Sequence, residues 1–136
     1  MRTIRVVSFA YKFDQQHTLE GPTHIYDCRG LPNPFNTAEL REGDGRDDVV
    51  RKFVFHNGRA EALVRQAMAE VQSYRSDLSL GTVTFAFGCV GGRHRSVACA
   101  EVLYSHLTHQ QGPRCFVHGI ELVGPDHLGL LARGLV

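Results

Sequence analysis

A run of glycines and arginines near the middle of the chain has the composition of an anion-binding loop. The run lies between the apolar segment Thr82–Phe87 and a helical pattern that extends from about His94 to Gln111. Glycines let several N–H groups face one point, and a helix N-terminus adds partial positive charge there. Arginine and serine side chains can also donate to phosphoryl oxygens. The pattern predicts phosphate binding, with a glycine-rich connection carrying solvated arginines as the alternative; the candidate residues are Cys89, Val90, Gly91, Gly92, Arg93, His94, Arg95 and Ser96.

The cysteine in this loop allows a catalytic alternative. Cys89 and Arg95 have the spacing C-x5-R and are followed by Ser96, which resembles the loop of cysteine-dependent phosphatases. In such a loop the thiolate attacks phosphorus, and a helix N-terminus with nearby arginines would stabilise that thiolate. Gly88 stands where those enzymes usually have histidine, and no general acid can be assigned. We therefore favour a binding module with no catalytic residue; as an enzyme the chain would be a phosphatase with Cys89 as its nucleophile.

Apolar segments of strand type alternate with helical patterns along the chain. This alternation predicts an α/β domain with three layers, in which helices cover both faces of a mostly parallel open sheet. We divide the chain into a domain over residues 1–123 and an apolar tail over 124–136, whose packing the sequence does not decide. The predicted strands are Ile4–Phe9, Thr23–Cys28, Thr82–Phe87 and Arg114–His118, and the predicted helices are Val49–Phe55, Arg59–Tyr74 and His94–Gln111.

Polar residues follow each of the first three predicted strands. Lys12 follows the first strand, Asp27, Arg29 and Asn33 follow the second, and the glycine-rich loop follows the third. Ligands of open α/β sheets bind beyond the carboxyl ends of the strands. We therefore expect these four residues to join the loop in one site, although each could also be an ordinary surface charge or turn residue.

Composition narrows the classes of function. The chain has 136 residues and a formal net charge of +1, which disfavours indiscriminate binding to nucleic acid or acidic membranes. It contains no apolar run of about 18 residues, and its start lacks a signal-peptide pattern, so we expect a cytoplasmic protein without membrane association. No cysteines have the close C-x-x-C spacing of a zinc site, so no metal or cofactor is expected, and Cys99 and Cys115 are predicted core thiols.

A longer string around the loop is more specific than any of these patterns. The segment Gly88–Val97 resembles the signature G-C-T-G-G-x-H-R-S-V of the RapZ C-terminal domain, with Val90 in place of threonine. Ser8–Lys12 is similar to the family's S-F-G-F-K, and Asp27–Pro34 is similar to its D-V-R-F-L-P-N-P. Glu39–Arg41 and the following glycine and aspartate agree with the next family segment.

The resemblance implies a regulatory domain. In that family the C-terminal domain binds glucosamine-6-phosphate and a regulatory small RNA, and the whole protein acts as an RNase adapter. A phosphorylated small molecule, either a phosphosugar or a nucleotide, is therefore the expected ligand of this chain. RNA, a protein partner and a second copy of the chain are alternative partners. The Walker A pattern G-x-x-x-x-G-K-[ST] of the family's preceding domain is absent here, so ATP hydrolysis is not expected.

Overall fold

A computed structural model describes residues 2–74, 80–110 and 120–136. Its four strands form one parallel sheet in the order β2-β3-β1-β4. The predicted α/β fold, with three layers and a mostly parallel open sheet, is confirmed. The strands are β1 (Arg2–Ala10), β2 (Thr23–Asp27), β3 (Gly81–Cys89) and β4 (Ile120–His127), and the helices are α1 (Ala38–Arg41), α2 (Asp48–Val54), α3 (Arg59–Gln72), α4 (Arg95–Ser105) and α5 (Leu128–Ala132).

The two central strands are apolar on both faces. In β1, Ile4 and Val6 belong to the larger core cluster, together with side chains from α2, α3 and α4. Val7 and Phe9 face the opposite side of the sheet, where Leu128 at the start of α5 packs on them. A parallel strand pairs stably only when both of its faces are covered, so this apolar run is a consequence of its central position.

Helix and strand ends differ in places from those predicted. The helix α4 ends at Ser105 and continues as a π-helical turn over His106–Gln110. Apolar spacing predicts which face of a helix is buried but does not distinguish α-helical from π-helical hydrogen bonds. The predicted strand Arg114–His118 and the predicted core thiol Cys115 lie outside the described residues. The described segment 120–136 contains β4 and α5, and its Leu130 is fully buried. No helix of the described ranges is long and apolar enough to span a membrane.

A polar network connects the end of β4 with β1 and α4. The Ser8 hydroxyl lies 2.7 Å from Nδ1 of His127, and Nε2 of His127 lies 2.8 Å from a carboxylate oxygen of Glu101. Since a carboxylate only accepts, Nε2 carries a proton, and in the neutral imidazole Nδ1 accepts from Ser8. Ser8 is fully buried. The network satisfies its hydroxyl and fixes the point at which the chain leaves β4 for α5.

Substituting Gly45 tests how closely the segment before α2 packs on α4. A Cβ at Gly45 would lie about 2.5 Å from the His94 oxygen and 2.7 Å from the carbonyl carbon of Val97. These are backbone atoms that cannot rotate away. We expect Gly45→Ala to lower the free energy of unfolding by ~1–3 kcal/mol, the usual cost of overpacking. Urea unfolding of the variant and the wild type measures this change in the free energy of unfolding.

Gly30→Ala is the matched control. A Cβ at Gly30 would meet no atom within 4 Å. We expect a change within ~0.5 kcal/mol, as for other surface substitutions. Equal midpoints for the two variants would show that the 43–47 segment is not packed as described.

Candidate anion-binding site

The pairing of β1 with β3 brings the loops after the first three strands together. Ala10 at the end of β1 is opposite Cys89 at the end of β3. Beyond these ends, the Lys12 N–H donates to the Val90 oxygen at 3.1 Å. On the other side of β3, the Cys28 N–H donates to the Gly88 oxygen at 2.7 Å. The three polar segments therefore share one edge of the sheet, as the sequence predicts.

The loop between β3 and α4 packs closely on its neighbours while its amides stay without acceptors. Gly92 has a φ of +62°, and a Cβ there would lie 2.8 Å from Cβ of Ala10 and 3.0 Å from Cα of Gly129. Only glycine fits such a position without strain. Within the described residues, the N–H groups of Gly91, Gly92 and Arg93 donate to no protein atom. The loop thus offers several main-chain donors, which is the usual basis of phosphate binding at such turns.

A cavity of about 330 Å³ opens beside this loop. Its lining carries five cationic side chains and a single carboxylate among the described residues. Such a cavity has the size of a small-molecule site and strongly favours an anion. The lining residues are Lys12, Asn33, Phe35, Arg41, Glu42, Cys89, Val90, Gly91, Arg93, His94, Arg95 and Arg133.

Main-chain oxygens, and not carboxylates, hold the four arginines of the cavity. A carbonyl fixes a guanidinium in place but leaves its charge uncompensated, so the cavity keeps its positive potential. No carboxylate of the described residues forms an ion pair with any of the four. The bonds run from Arg41 to the Phe35 oxygen (2.8 Å), from Arg93 to that of Gly43 (2.8 Å), from Arg95 to that of Arg29 (2.7 Å) and from Arg133 to that of Gly91 (3.0 Å).

Arg29 and Asp27 neutralise one another outside the cavity lining. Two nitrogens of the Arg29 side chain donate to the two Asp27 oxygens at 3.0 and 2.9 Å, and the guanidinium lies 3.9 Å from the centre of the Tyr11 ring. The hydrogen bonds from Arg29 lower the pKa of the Asp27 carboxyl. Arg29 reaches the site only through its main-chain oxygen, which holds Arg95. The Asp27–Arg29 pair therefore positions the segment whose main-chain oxygen holds Arg95.

Asn33 lies in the cavity lining and has one hydrogen-bonding role inside the fold. Its Oδ1 accepts from the Phe35 N–H at 3.1 Å, which caps the short 3-10 helix Pro34–Asn36. The amide nitrogen of Asn33 has no acceptor in the described part of the chain. It remains available as a neutral donor beside the cationic groups.

Cys89 lies at the inner end of the cavity. Its side chain is buried, its Sγ lies 3.1 Å from the Ser96 hydroxyl, and the Ser96 N–H donates to the same sulfur at 3.5 Å. Ser96 is fully buried and does not line the cavity, nor does Gly92. These two predicted residues thus shape the loop from behind.

His94 lines the cavity as a neutral side chain. Burial lowers its pKa below the ordinary value of 6.5, although its bond to a main-chain oxygen opposes the shift. Nε2 of His94 lies 3.0 Å from the Arg41 oxygen and must donate, because a carbonyl only accepts.

No group of three or more potential metal ligands occurs among residues 2–74, 80–110 and 120–136.

Two cations of the cavity were not predicted from the sequence. Arg41 was noted only as part of the family segment, and its position beside Phe35 depends on the fold. Arg133 lies in the segment interpreted as an apolar tail, and α5 brings it onto the loop. A single arginine in a tail with little charge is the available signal. The position of Arg133 in the sequence does not indicate a contact with Gly91, some 40 residues earlier.

The lowered pKa of His94 predicts a stability difference with a defined sign. Because the folded state prefers neutral His94, the unfolded state binds more protons as pH falls below about 6.5, so acidification removes stability. In His94→Gln this contribution is absent. We expect the stability of the wild type to fall relative to the variant between about pH 7.5 and pH 5. Urea unfolding at several pH values measures the difference, and parallel pH profiles would contradict it.

The chain is similar to known proteins over most of its length. The family model described as the RapZ C-terminal domain matches residues 2–120. A nucleotide-binding protein of Saccharopolyspora erythraea is 38% identical over 112 residues, which cover 80% of this chain and 37% of that protein. One from Clavibacter michiganensis is 39% identical over 107 residues, covering 76% of this chain and 36% of the relative.

Further relatives show the same partial overlap. A nucleotide-binding protein of Roseobacter denitrificans is 35% identical over 103 residues, which are 73% of this chain and 34% of that protein. The chain thus spans about a third of the length of the curated relatives it matches. Since the family model matches nearly the whole chain, this protein belongs to the family of RapZ C-terminal domains.

Proposed function

We propose that the chain is a regulatory module that binds a phosphorylated small molecule on the loop Gly88–Ser96. The observation that carries this proposal is the cavity beside the loop, where arginines held by main-chain oxygens keep their full charge. Charge-assisted bonds from arginine, together with loop amides, are the strongest phosphate contacts that a protein offers. The phosphoryl group would lie against the amides of Gly91 and Arg93 and the Arg95 guanidinium.

The remaining lining residues suit the part of the ligand that is not phosphorylated. Asn33 offers an amide donor, and Glu42 offers an acceptor for a hydroxyl or amine. Phe35 is 54% exposed and lies beside the Arg41 guanidinium, 4.8 Å from its ring centre, so the pair presents a flat surface. A sugar or a base could pack there. This combination supports both a phosphosugar and a nucleotide.

The family adds independent support for a phosphorylated ligand. The relatives bear the name nucleotide-binding protein, although the matched part of this chain spans only about a third of their length. The resemblance in the loop implies glucosamine-6-phosphate. Both ligands are phosphorylated small molecules, and both therefore support a ligand of this class for the present chain.

Removing the guanidinium of Arg95 tests the proposal. Arg95→Met keeps the buried stem of the side chain and deletes its charge. We expect binding of glucosamine-6-phosphate or inorganic phosphate to weaken by ~1.5–3 kcal/mol, the range for hydrogen bonds to charged groups, which is roughly 10- to 150-fold in Kd. Titration calorimetry measures the affinity.

Arg65→Met is the charge-matched control. Arg65 lies on α3 with a side chain that is 76% exposed, and it pairs with Glu61 away from the cavity. We expect no change in affinity. Equal loss in both variants, or unchanged affinity in Arg95→Met with an intact circular dichroism spectrum, would contradict phosphate binding at this loop.

RNA is the second candidate ligand. Phe13 and Phe35 are exposed beside cationic side chains of the cavity. Aromatic rings next to basic groups are how proteins hold unpaired bases of single-stranded RNA. A gel shift with a single-stranded RNA that weakens steeply with salt, and that persists in the presence of saturating phosphosugar, would favour this function.

A cysteine-dependent phosphatase is the third candidate, and the contacts of Cys89 favour it. A thiolate in this position would receive hydrogen bonds from the Ser96 N–H and hydroxyl, inside a cationic cavity. Turnover also needs a group that protonates the leaving oxygen. Among the described lining residues Glu42 is the sole carboxylate, and His94 already donates its Nε2 proton to a carbonyl. The arrangement therefore suits binding better than hydrolysis.

Hydrolysis of p-nitrophenyl phosphate distinguishes these two functions. We expect turnover at the background rate in the wild type, and the same rate in Cys89→Ser, because no acid is positioned for the leaving group. Activity that rises with protein concentration and disappears in Cys89→Ser would replace the binding module by a phosphatase. Binding of inorganic phosphate by Cys89→Ser shows that the variant keeps its site.

A further inference from the structure

Two cations of the cavity share one aromatic ring. Nζ of Lys12 lies 5.3 Å from the centre of the Phe13 ring, and Cζ of Arg133 lies 5.5 Å from the same centre. Lys12 belongs to the short 3-10 helix after β1, whereas Arg133 follows α5. Two positive side chains that converge from distant parts of the chain repel each other unless an anion lies near them.

The loop bonds to the main chain of Lys12 and to the side chain of Arg133. The Lys12 N–H donates to the Val90 oxygen at 3.1 Å, and Nε of Arg133 donates to the Gly91 oxygen at 3.0 Å. Neither cation forms an ion pair with a carboxylate in the described ranges. The carbonyls of Val90 and Gly91 thus accept hydrogen bonds from Lys12 and Arg133. The N–H groups of Gly91, Gly92 and Arg93 stay available for an anion.

Arg93 and Arg95 form a second group of cations, anchored elsewhere. Their guanidinium groups donate to the Gly43 and Arg29 oxygens, which belong to the segments before α2 and after β2. Among the described residues, neither Arg93 nor Arg95 lies over the Phe13 ring. Four of the five cations of the cavity thus form two groups on different supports, and the fifth, Arg41, is held by the Phe35 oxygen.

The charge of a single phosphate does not match this lining. A phosphate monoester carries about −1.5 to −2 charges near pH 7. The lining has five cationic side chains against the carboxylate of Glu42. One phosphoryl group on the loop amides and the Arg93–Arg95 group would leave Lys12 and Arg133 without a counter-charge.

We infer that the site takes a ligand with two phosphoryl groups, of which Lys12 and Arg133 hold the second. The inference rests on the proposed phosphate-binding function and specifies its ligand class: a diphosphate or a bisphosphate. Adjacent phosphoryl groups would come from a nucleoside diphosphate, and separated ones from a sugar bisphosphate. Both present the same chemistry to the two cationic groups.

Gly91 gives a second way to disturb Arg133 alone. A Cβ at Gly91 would lie 2.8 Å from Nη2 of Arg133, and no other atom except Cζ of the same guanidinium would lie within 4 Å. The φ of Gly91 is not among the positive values, so alanine fits its backbone. Gly91→Ala therefore pushes the guanidinium away while the loop keeps its course.

The test compares one-phosphoryl and two-phosphoryl probes by competition calorimetry. The pairs are inorganic phosphate with pyrophosphate, AMP with ADP, and fructose 6-phosphate with fructose 1,6-bisphosphate. We expect the wild type to prefer at least one two-phosphoryl probe by about tenfold or more, because charge-assisted bonds from Lys12 and Arg133 are added. The pair that shows the preference tells adjacent from separated phosphoryl groups.

Variants at Arg133 assign the preference to that residue. Arg133→Met and Gly91→Ala should reduce the preference for the two-phosphoryl probe to about threefold or less, whereas Arg133→Lys retains part of it. The control Lys52→Met removes an exposed charge on α2 and should change nothing.

Outcomes of this test separate the two levels of the proposal. Wild type that binds inorganic phosphate through Arg95 but shows no preference in any pair overturns the two-phosphoryl inference alone. Equal weakening of phosphate and pyrophosphate in Arg133→Met also overturns it, because Arg133 would then serve the first phosphoryl group. Wild type that binds neither phosphate nor pyrophosphate overturns both this inference and the proposed function.

Discussion

The parallel pairing of β1 with β3 is the constraint on which the site depends. Its register places Ala10 opposite Cys89, so both strands end at the same level and their loops leave the sheet side by side. Backbone hydrogen bonds fix this alignment, and the apolar faces of both strands keep it buried. A slip of one residue would turn every buried side chain of β1 to the wrong face and separate Lys12 from the loop.

Close packing of backbone on backbone carries this alignment into the loops. Gly92 meets Ala10 and Gly129, which lets the start of α5 lie directly on the loop. Gly45 likewise lets the segment before α2 approach the first turn of α4. Side chains at these positions would separate the supports by a few ångströms. Glycine therefore acts here through the absence of a side chain, and the result is that arginines from three segments reach one cavity.

The way in which arginines are held decides where charge is available. Asp27 neutralises Arg29, and Asp44 neutralises Arg46, so both of these arginines stabilise turns of the chain. Main-chain oxygens hold the arginines of the cavity and fix their positions without neutralising them. An anion that enters the cavity meets groups that are already oriented, so little side-chain entropy is lost on binding.

The fold class and the central loop follow from the order of residues along the chain. Apolar runs separated by helical patterns specify parallel strands with helices between them, and the string Gly88–Val97 is local, so its strand–loop–helix layout follows from neighbouring residues. The meeting of the loops after β1, β2 and β3 was also predictable, because parallel strands end at one edge. Which charges remain available depends on how distant segments pack together. The pairing of Arg29 with Asp27 removes one predicted cation from the cavity, whereas α5 supplies Arg133 from the far end of the chain. Such choices depend on contacts between distant segments, which the spacing of residues along the chain does not encode.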